Sequence, residues 1–282
     1  ADAVIREVYA APINEGTPVI TTDLATAELV KVSANAFLAT KISFINAISE
    51  MCAITGADVS TLADALGHDA RIGRKFLNAG LGFGGGCLPK DIRALMYRAN
   101  EIGAGQVVGL MQQVDEINMG QRQRVIDMAI DSAGGSVLNR RVAVIGAAFK
   151  PLTDDVRDSP ALNVAAALHL RGAQVTLWDP EAMEPAKRSF PTLSYAASMT
   201  DAIEDADVVL VLTEWDDIIT ADPVALGDLV GRRVVIDARN CLPVADWVKA
   251  GWTVRSLGRP TPVTGAPVSV AAGTNDALAT IR

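Results

Sequence analysis

The sequence is poor in the residue types that form disulfide frameworks and metal sites. Its 282 residues include three cysteines, which lie far apart, and two histidines. Separated cysteines make no disulfide framework, and "ADAVIREVYA" at the start lacks the basic and apolar zones of a signal peptide. We therefore expect free thiols in a reducing, cytoplasmic setting. Neither His68 nor His169 has a partner at metal-ligand spacing, so no metal is expected.

Basic residues and long apolar runs are scarce as well. Lysine and arginine number 25 against 33 acidic residues, which gives a net charge of -8. This balance argues against a nucleic-acid partner. No apolar run approaches the roughly 20 residues that cross a bilayer, so no membrane association is expected. Half of the residues are hydrophobic, which is typical of a globular chain of about two domains.

Helical patterns dominate the first half of the chain. "ADAVIREVYAAPI" is typical of the end of a helix, and "TPVITTD" predicts a brief strand. A long helix follows from Asp23, a plausible N-cap, to Gly56, and at 1.5 Å per residue it would be about 48 Å long. Further helices are predicted at about 58–66, 89–102 and 107–132. The long helix is apolar on more than one side, so we expect it to be buried against several neighbours, including a second copy of the chain in a homodimer.

Strands and helices alternate after the segment "SAGGSVLNRR". The predicted strands are 141–146, "AQVTLWD", "DVVLVLT", "RRVVIDARN" and a last edge strand in "WTVRSLG". Helices are predicted at 159–172, with Ser159 as N-cap, and in "TDAIEDA". This alternation predicts a parallel, doubly wound sheet. The fold class is thus α/β, with a central all-helical domain followed by a Rossmann-like domain. Residues 261–282, rich in Pro, Gly, Thr and Ala, are expected to form a flexible tail.

The segment "GLGFGGGCLPKD", residues 80–91, holds five glycines around one cysteine. Because glycine costs folding entropy, we expect the bare backbone to admit a guest such as a phosphate, a sugar or a covalent intermediate. Gly80, Gly82 and Gly85 match G-x-G-x-x-G, but no strand precedes them and no ribose-binding acid follows at the usual distance, so the match is rejected. The turn after the first strand, "RVAVIGAAFKP", has one glycine and no phosphate fingerprint.

Cys87 is the candidate nucleophile. Pro89 suits the first turn of a helix, which places Cys87 just before a helix N-terminus, where free N–H groups and the nearby Lys90 favour a thiolate. Asp91 would serve as a base or would position water. The alternative, a buried structural cysteine, is less favoured here, whereas Cys52 and Cys241 are interpreted as small core residues.

Two pairs of polar residues are ambiguous from spacing alone. Lys31 and Asn35 lie on one face of the long helix and form either an oxyanion site or, more simply, a solvated polar stripe. Lys150 and Arg157 lie in the loop after the first strand, where open α/β sheets bind ligands, and either hold phosphates or belong to an ordinary charged loop.

The residues together resemble the UDP-glucose/GDP-mannose 6-dehydrogenase family. The resemblance rests on "AELVKVSANAFLATKISFINAI", "RIGRKFLNAGLGFGGGCLPKD", "VAVIGAAFKPLTDDVRDSPALNV" and "VVIDARNCL", in the family's order. It implies a four-electron oxidation of UDP-glucose to UDP-glucuronate, with NAD as cofactor and with a thiohemiacetal and a thioester on the cysteine. GDP-mannose and UDP-N-acetyl sugars are alternative substrates.

The resemblance also implies roles for single residues. Cys87, Lys31, Asn35 and Asp91 match catalytic positions, and Lys90 and Arg157 match NAD contacts. Arg71 matches an arginine that is donated across the dimer to the partner's substrate. The remaining substrate contacts are Phe76, Leu77, Asn78, Ala79, Gly80, Gly84, Lys150 and Arg239, together with Lys31 and Asn35.

The family begins with a G-x-G-x-x-G domain that this sequence lacks. We therefore expect residues 1–22 to be the remnant of an absent NAD-binding domain. Residues 23–135 are expected to form the dimerisation and catalytic-cysteine domain, and 136–260 the sugar-nucleotide-binding domain. An alternative interpretation is a non-catalytic module that binds sugar nucleotides or dimerises.

Overall fold

The structure is a computed structural model that describes residues 1–260. The predicted flexible tail, 261–282, lies outside the described residues. The helices are α1 (Asp2–Val8), α2 (Ala10–Asn14), α3 (Leu24–Thr55), α4 (Val59–Gly67), α5 (Leu88–Glu101), α6 (Gly105–Ser132), α7 (Pro160–Leu170), α8 (Met183–Ser189), α9 (Met199–Ile203), α10 (Asp216–Ile219), α11 (Pro223–Gly227) and α12 (Val244–Lys249). The strands are β1 (Arg141–Ile145), β2 (Gln174–Trp178), β3 (Ser194–Tyr195), β4 (Val208–Val211), β5 (Val234–Asp237) and β6 (Thr253–Ser256).

The long helix α3 begins and ends as the sequence predicts. The Asp23 side chain accepts a hydrogen bond from the N–H of Thr26, and Gly56 ends the helix in the left-handed conformation, with φ of +76°. Ala36 and Ala39 of α3 pack with α5 and α6 in one apolar cluster. Cys52 belongs to a second cluster that includes residues of α4. The helical half is therefore a bundle of α3 to α6.

Helix α3 comes closer to a membrane span than the scarcity of apolar runs predicts. Among residues 1–260 it is the one helix of suitable length and composition, with a mean hydropathy of 1.3 over its most apolar window. A core helix of a soluble protein passes the same test. Ser43 and Asn46 on α3 are buried and bond to protein groups. Ser43 donates to the carbonyl of Val114 in α6, and Asn46 accepts from the N–H of Gly80 in the loop before α5.

The predicted doubly wound sheet is confirmed. All pairings are parallel and the strand order is β3-β2-β1-β4-β5-β6, the order of dinucleotide-binding folds. Val142 and Val144 of β1 face one apolar layer, which contains α7, and Ala143 and Ile145 face the other, which contains α12. Burial of both faces explains why these strands are continuous apolar runs in the sequence.

The two halves share one apolar core. Val125, Ile126 and Ala129, from the C-terminal part of α6, pack in the same cluster as residues of β1, β4 and β5. Arg255 at the far edge of the sheet donates to the carbonyl of Met128 and to Ser132. Helix α6 thus connects the predicted domains and fixes the sheet against the helical bundle.

One predicted element is wrong and several short ones were missed. Residues 17–23, predicted to include a strand, pair with no strand among the described residues and are exposed. β-propensity alone does not make a strand without a partner edge. Strand β3 and the helices α8, α10, α11 and α12 are not predicted from the sequence, because they have two to seven residues each and are too short to display a periodic pattern.

Candidate functional site

Residues 79–86, here called the glycine strap, run between the helical half and the sheet. The N–H of Gly80 donates to Asn46 of α3 (2.8 Å), and the N–H and carbonyl of Phe83 both bond to the side chain of Asn118 of α6. The N–H of Leu81 donates to the carbonyl of Ala238, at the end of β5 (2.8 Å). The strap has no secondary structure of its own, so these outside groups satisfy its backbone.

The glycines of the strap face protein atoms. A side chain at Gly80 would lie 2.8 Å from the Ala238 carbonyl, and one at Gly85 would lie 2.8 Å from the Phe149 ring. A side chain at Gly84 would collide with the carbonyl of Asp158. Close packing against the sheet domain therefore accounts for the glycines at these positions. The expectation that the bare backbone also admits a ligand stays a prediction, since Gly80, Gly84 and Gly85 line a cavity.

Cys87 is the N-cap residue of α5, and its side chain is exposed. Pro89 occupies the first turn, as predicted, and the N–H of Asp91 donates to the Cys87 carbonyl (2.9 Å). The first-turn N–H groups of α5 form the positive end of the helix next to the thiol. The structure thus places Cys87 where the sequence predicts, and it excludes a buried structural cysteine.

Lys31, Asn35 and Asp91 form a continuous hydrogen-bonded chain. The Lys31 ammonium donates to Oδ1 of Asn35 (3.0 Å), and Nδ2 of Asn35 donates to Oδ2 of Asp91 (2.6 Å). Lys90 lies 3.4 Å from the other oxygen of Asp91. Asn35 is buried and Lys31 is exposed. The predicted pair is thus joined to Asp91 in the first turn of the helix that Cys87 begins.

A cavity of about 650 Å³ lies between the strap and the carboxyl ends of the strands. This volume is within the range of small-molecule sites. Of the predicted site residues, those that line it are Phe76, Leu77, Asn78, Ala79, Gly80, Gly84, Cys87, Lys150, Arg157 and Arg239. Lys31, Asn35, Asp91, Lys90 and Arg71 do not line it. Arg71 is paired with Asp69, and its side chain is 88% exposed.

Arg239 joins the two halves at the wall of the cavity. Its guanidinium donates to the carbonyls of Leu212 (2.7 Å) and Gly82 (3.0 Å), and more weakly to that of Phe149 (3.4 Å). It lies 3.4 Å from a carboxylate oxygen of Glu214. Arg239 therefore engages backbone carbonyls of both halves, and the one that belongs to the strap is that of Gly82.

The turn after β5 is organised by a buried carboxylate. Asp237 accepts hydrogen bonds from the N–H groups of Arg239, Cys241 and Leu242, and burial raises the pKa of this carboxyl. Burial, and then the charges of Asp237 and Glu214, also raise the pKa of the Cys241 thiol. Cys241 is thus a neutral thiol, although it lies at the cavity.

Several residues that line the cavity are not predicted from the sequence. These include Arg74, Phe149, Asp155, Glu214, Asn240 and Cys241. Asn240 has a positive φ of 55°, and its amide donates to the carbonyls of Ala79 and Leu257 (both 3.0 Å). The detectable signal was an asparagine directly after a buried strand, because asparagine tolerates the left-handed conformation.

The described residues fit only an edge of an NAD site. The acid at the end of β2, Asp179, is 1% exposed and is bonded to the N–H groups of Ala147 and Ala148 and to the Trp215 indole. The side chain at the position of a ribose-binding acid is therefore buried and bonded to protein groups. Arg157 and Lys90 are exposed cations near Cys87, and both are paired with neighbouring aspartates. Within residues 1–260 no cluster of metal-ligating side chains occurs.

Fold and cavity together define a two-domain protein that carries an exposed thiol beside a cavity of nucleotide size. Residues 25–120 match the central domain of the UDP-glucose/GDP-mannose dehydrogenase family, and residues 143–244 match its UDP binding domain. The chain belongs to this family, as the resemblance in its sequence indicated.

Individual relatives agree with the family assignment. The chain is 43% identical over 261 residues to UDP-glucose 6-dehydrogenase TuaD of Bacillus subtilis, covering 92% of this chain and 55% of that protein. It is 38% identical to UDP-glucose 6-dehydrogenase of Rhizobium meliloti, covering 92% and 59%. A UDP-glucose dehydrogenase structure from Pyrobaculum islandicum superposes with a TM-score of 0.81 at 31% identity, covering 92% and 56%. The chain thus spans somewhat more than half the length of the relatives it matches.

Proposed function

We propose that this chain carries the sugar-nucleotide-binding and cysteine part of an NAD-dependent oxidation of UDP-glucose to UDP-glucuronate. The observation that carries the proposal is the position of Cys87, exposed at a helix N-terminus and lining the 650 Å³ cavity. The match to a UDP binding domain and the names of the relatives favour a UDP-sugar.

The cavity offers donors and cations to an anionic ligand. Lys150 and Arg157 lie on its sheet side, and Arg74 and Asn78 on its helical side. Arg74 donates to Oδ1 of Asn78 (2.7 Å), which leaves the amide N–H groups of Asn78 to bind other acceptors. The lining combines these cations with apolar side chains such as Phe76 and Phe149, which suits a diphosphate that is linked to a sugar at one end and to a base at the other.

In the proposed oxidation of UDP-glucose, Cys87 acts as the nucleophile. Its sulfur adds to the C6 aldehyde, a C–S bond forms, and the carbonyl electron pair moves to the oxygen, which Lys31 and Asn35 stabilise. At the thioester stage, water attacks the same carbon, Asp91 accepts its proton, and the C–S bond breaks to return the thiolate. Lys90 and Arg157 would hold one edge of NAD, which when bound would supply the hydride acceptor for the two oxidations at C6.

A second copy of the chain is proposed to pack on α3. Val30, Phe37, Phe44 and Met51 lie seven residues apart on this helix, and each is 49 to 66% exposed. Such spacing produces an apolar stripe along one side of a helix, which is the pattern of a helix–helix seam. In a dimer of this kind we propose that the exposed Arg71 exchanges its pairing with Asp69 for the substrate in the partner's cavity.

Binding and cysteine protection test the proposal together. Titration calorimetry with UDP-glucose, with GDP-mannose and UDP-N-acetylglucosamine as competitors, is expected to give one site per chain and to favour UDP-glucose. Bound UDP-glucose should slow iodoacetamide labelling of Cys87, while Cys87→Ala should bind the sugar nucleotide without being labelled there. Absence of binding by every sugar nucleotide would refute the proposal.

The second candidate is a module that binds sugar nucleotides without turning them over. The inward position of Asp179, together with the absence of a dinucleotide fingerprint in the described residues, favours it for this chain on its own. Tight binding of UDP-glucose by a chain whose Cys87 is labelled by iodoacetamide no faster than Cys52 would support this candidate over the first.

A further inference from the structure

The buried amide of Asn118 holds the middle of the glycine strap with both of its polar atoms. Oδ1 accepts from the N–H of Phe83 (2.8 Å), and Nδ2 donates to the carbonyl of the same residue (3.0 Å). The residue is 1% exposed. Because the donor and the acceptor serve one residue, the carboxamide fixes both the position and the orientation of the backbone at Phe83.

The strap is shaped to receive this amide. Gly82 adopts a positive φ of +92°, and any side chain there would collide with the Asn118 carboxamide. Residues after Phe83 are held from the opposite side, where the N–H of Gly85 donates to the carbonyl of Arg157 (2.9 Å). Phe83 lies four residues before Cys87. The bond to Asn118 is thus the attachment of the strap to the helical half that lies nearest to Cys87 along the chain.

The neighbouring polar residues on α6 are engaged elsewhere. Gln121 accepts a hydrogen bond from Arg124 (3.3 Å). Arg122 donates to Asp158 (3.1 Å), and Asp115 accepts from Arg93 (3.2 Å). None of these side chains bonds to the strap. Asn118 is therefore the residue among them whose side chain forms hydrogen bonds with the strap.

We propose that Asn118 is a positioning residue for Cys87 and for the strap wall of the cavity. Its amide keeps the Phe83 peptide in the orientation that delivers Cys87 to the helix N-terminus at the cavity. The ligand part of this inference rests on the proposed function, whereas the effect on Cys87 does not. The reactivity of Cys87 and the affinity for the ligand therefore test the two parts of the inference separately.

Two variants and one matched control test the role. Asn118→Asp keeps the acceptor for the Phe83 N–H and loses the donor to its carbonyl, and Asn118→Ala loses both. Gln121→Glu is the control, because it makes the same amide-to-acid change at a buried position of α6 that does not touch the strap. The measurements are the iodoacetamide rate at Cys87, the affinity for UDP by calorimetry, and the urea midpoint.

In both Asn118 variants we expect iodoacetamide to label Cys87 about tenfold more slowly than in the parent chain. We also expect both to bind UDP about tenfold more weakly, an effect of the size that the loss of one buried hydrogen bond produces. Gln121→Glu should leave both values within about twofold. Unchanged labelling and binding in a variant whose urea midpoint falls would show a structural role alone and would overturn the inference.

A pH series separates positioning from stability. In Asn118→Asp, burial should raise the pKa of the introduced carboxyl, so that it becomes protonated as the pH is lowered toward 5. The new O–H can then donate to the Phe83 carbonyl in place of the lost amide. Relative to the parent chain at each pH, labelling and UDP binding should recover in Asn118→Asp and stay low in Asn118→Ala.

The outcomes are distinguishable. If the parent chain fails to bind UDP, the proposed function fails, and the labelling comparison still decides the role of Asn118. Equal recovery of both Asn118 variants at low pH, or equal loss in Gln121→Glu, would refute the positioning role.

Discussion

At the scale of single residues, the three cysteines have three different environments. Cys87 is exposed at the start of α5, Cys52 is buried between α3 and α4, and Cys241 lies beside two carboxylates. Reactivity requires both access and a setting that favours the thiolate. Of the three, Cys87 alone combines exposure with a position at the N-terminus of a helix.

Brief labelling with iodoacetamide should therefore modify Cys87 at least tenfold faster than Cys52 or Cys241. Peptide mapping by mass spectrometry measures the three rates in one sample. Cys87→Ser serves as the control and should abolish the fast phase. Equal rates at all three sites would contradict an activated thiol at the cavity.

Gly84→Ala tests the contact between the strap and the sheet. The added methyl group would meet the Asp158 carbonyl and lie 2.7 Å from Cδ of Pro160, so the strap must move. We expect a loss of about 1–3 kcal/mol in the free energy of unfolding, measured in urea, together with weaker binding of UDP-glucose. Gly109→Ala is the matched control: it lies in α6 with open space around it and should be neutral or stabilising.

These residues show how far the sequence alone reaches into the site. The position of Cys87 before a helix follows from Pro89 and local propensity, so it could be predicted. The partners of the strap could not, because Asn46, Asn118 and Ala238 are distant in the chain and meet the strap only in the folded protein. The glycines are needed for that contact, which no local pattern reveals.

At the scale of elements, length decides what the sequence predicts. Helix α3 has 32 residues with a clear start and stop, and its bounds agree with the sequence to within a residue. Strands β1, β2, β4 and β5 were found as apolar runs. The elements that were missed are short. Strand β3 contributes two residues at an edge of the sheet, which are too few to show an alternation of buried and exposed side chains.

The exposed apolar stripe on α3 predicts a homodimer. Phe44→Glu should convert the chain to a monomer, because a charge in a helix–helix seam loses its hydration without gaining a partner. Light scattering over a range of concentrations measures the mass. Tyr97→Glu, which changes an exposed aromatic residue of α5, should leave the mass of the dimer unchanged. A parent chain that is monomeric at all concentrations would contradict the prediction.

At the scale of the whole molecule, the question is whether this chain can complete the oxidation by itself. We expect no NADH above background when UDP-glucose and NAD are added. Hydride transfer needs the nicotinamide within about 3–3.5 Å of C6, and correct positioning is worth on the order of 7–11 kcal/mol. The described residues offer Lys90 and Arg157 and no dinucleotide fingerprint. Absorbance at the NADH band is the measurement, and a signal that disappears in Cys87→Ala would contradict the expectation.

The glycine strap has a consequence for how the molecule unfolds. Its N–H and carbonyl groups are divided between Asn46 and Asn118 on one side and Ala238, Arg239 and Asn240 on the other. Opening either half would leave the strap with orphaned backbone groups and would strip residues of α6 from the shared core. Heat should therefore melt the helical bundle and the sheet in a single cooperative transition, although the sequence divides them into two domains.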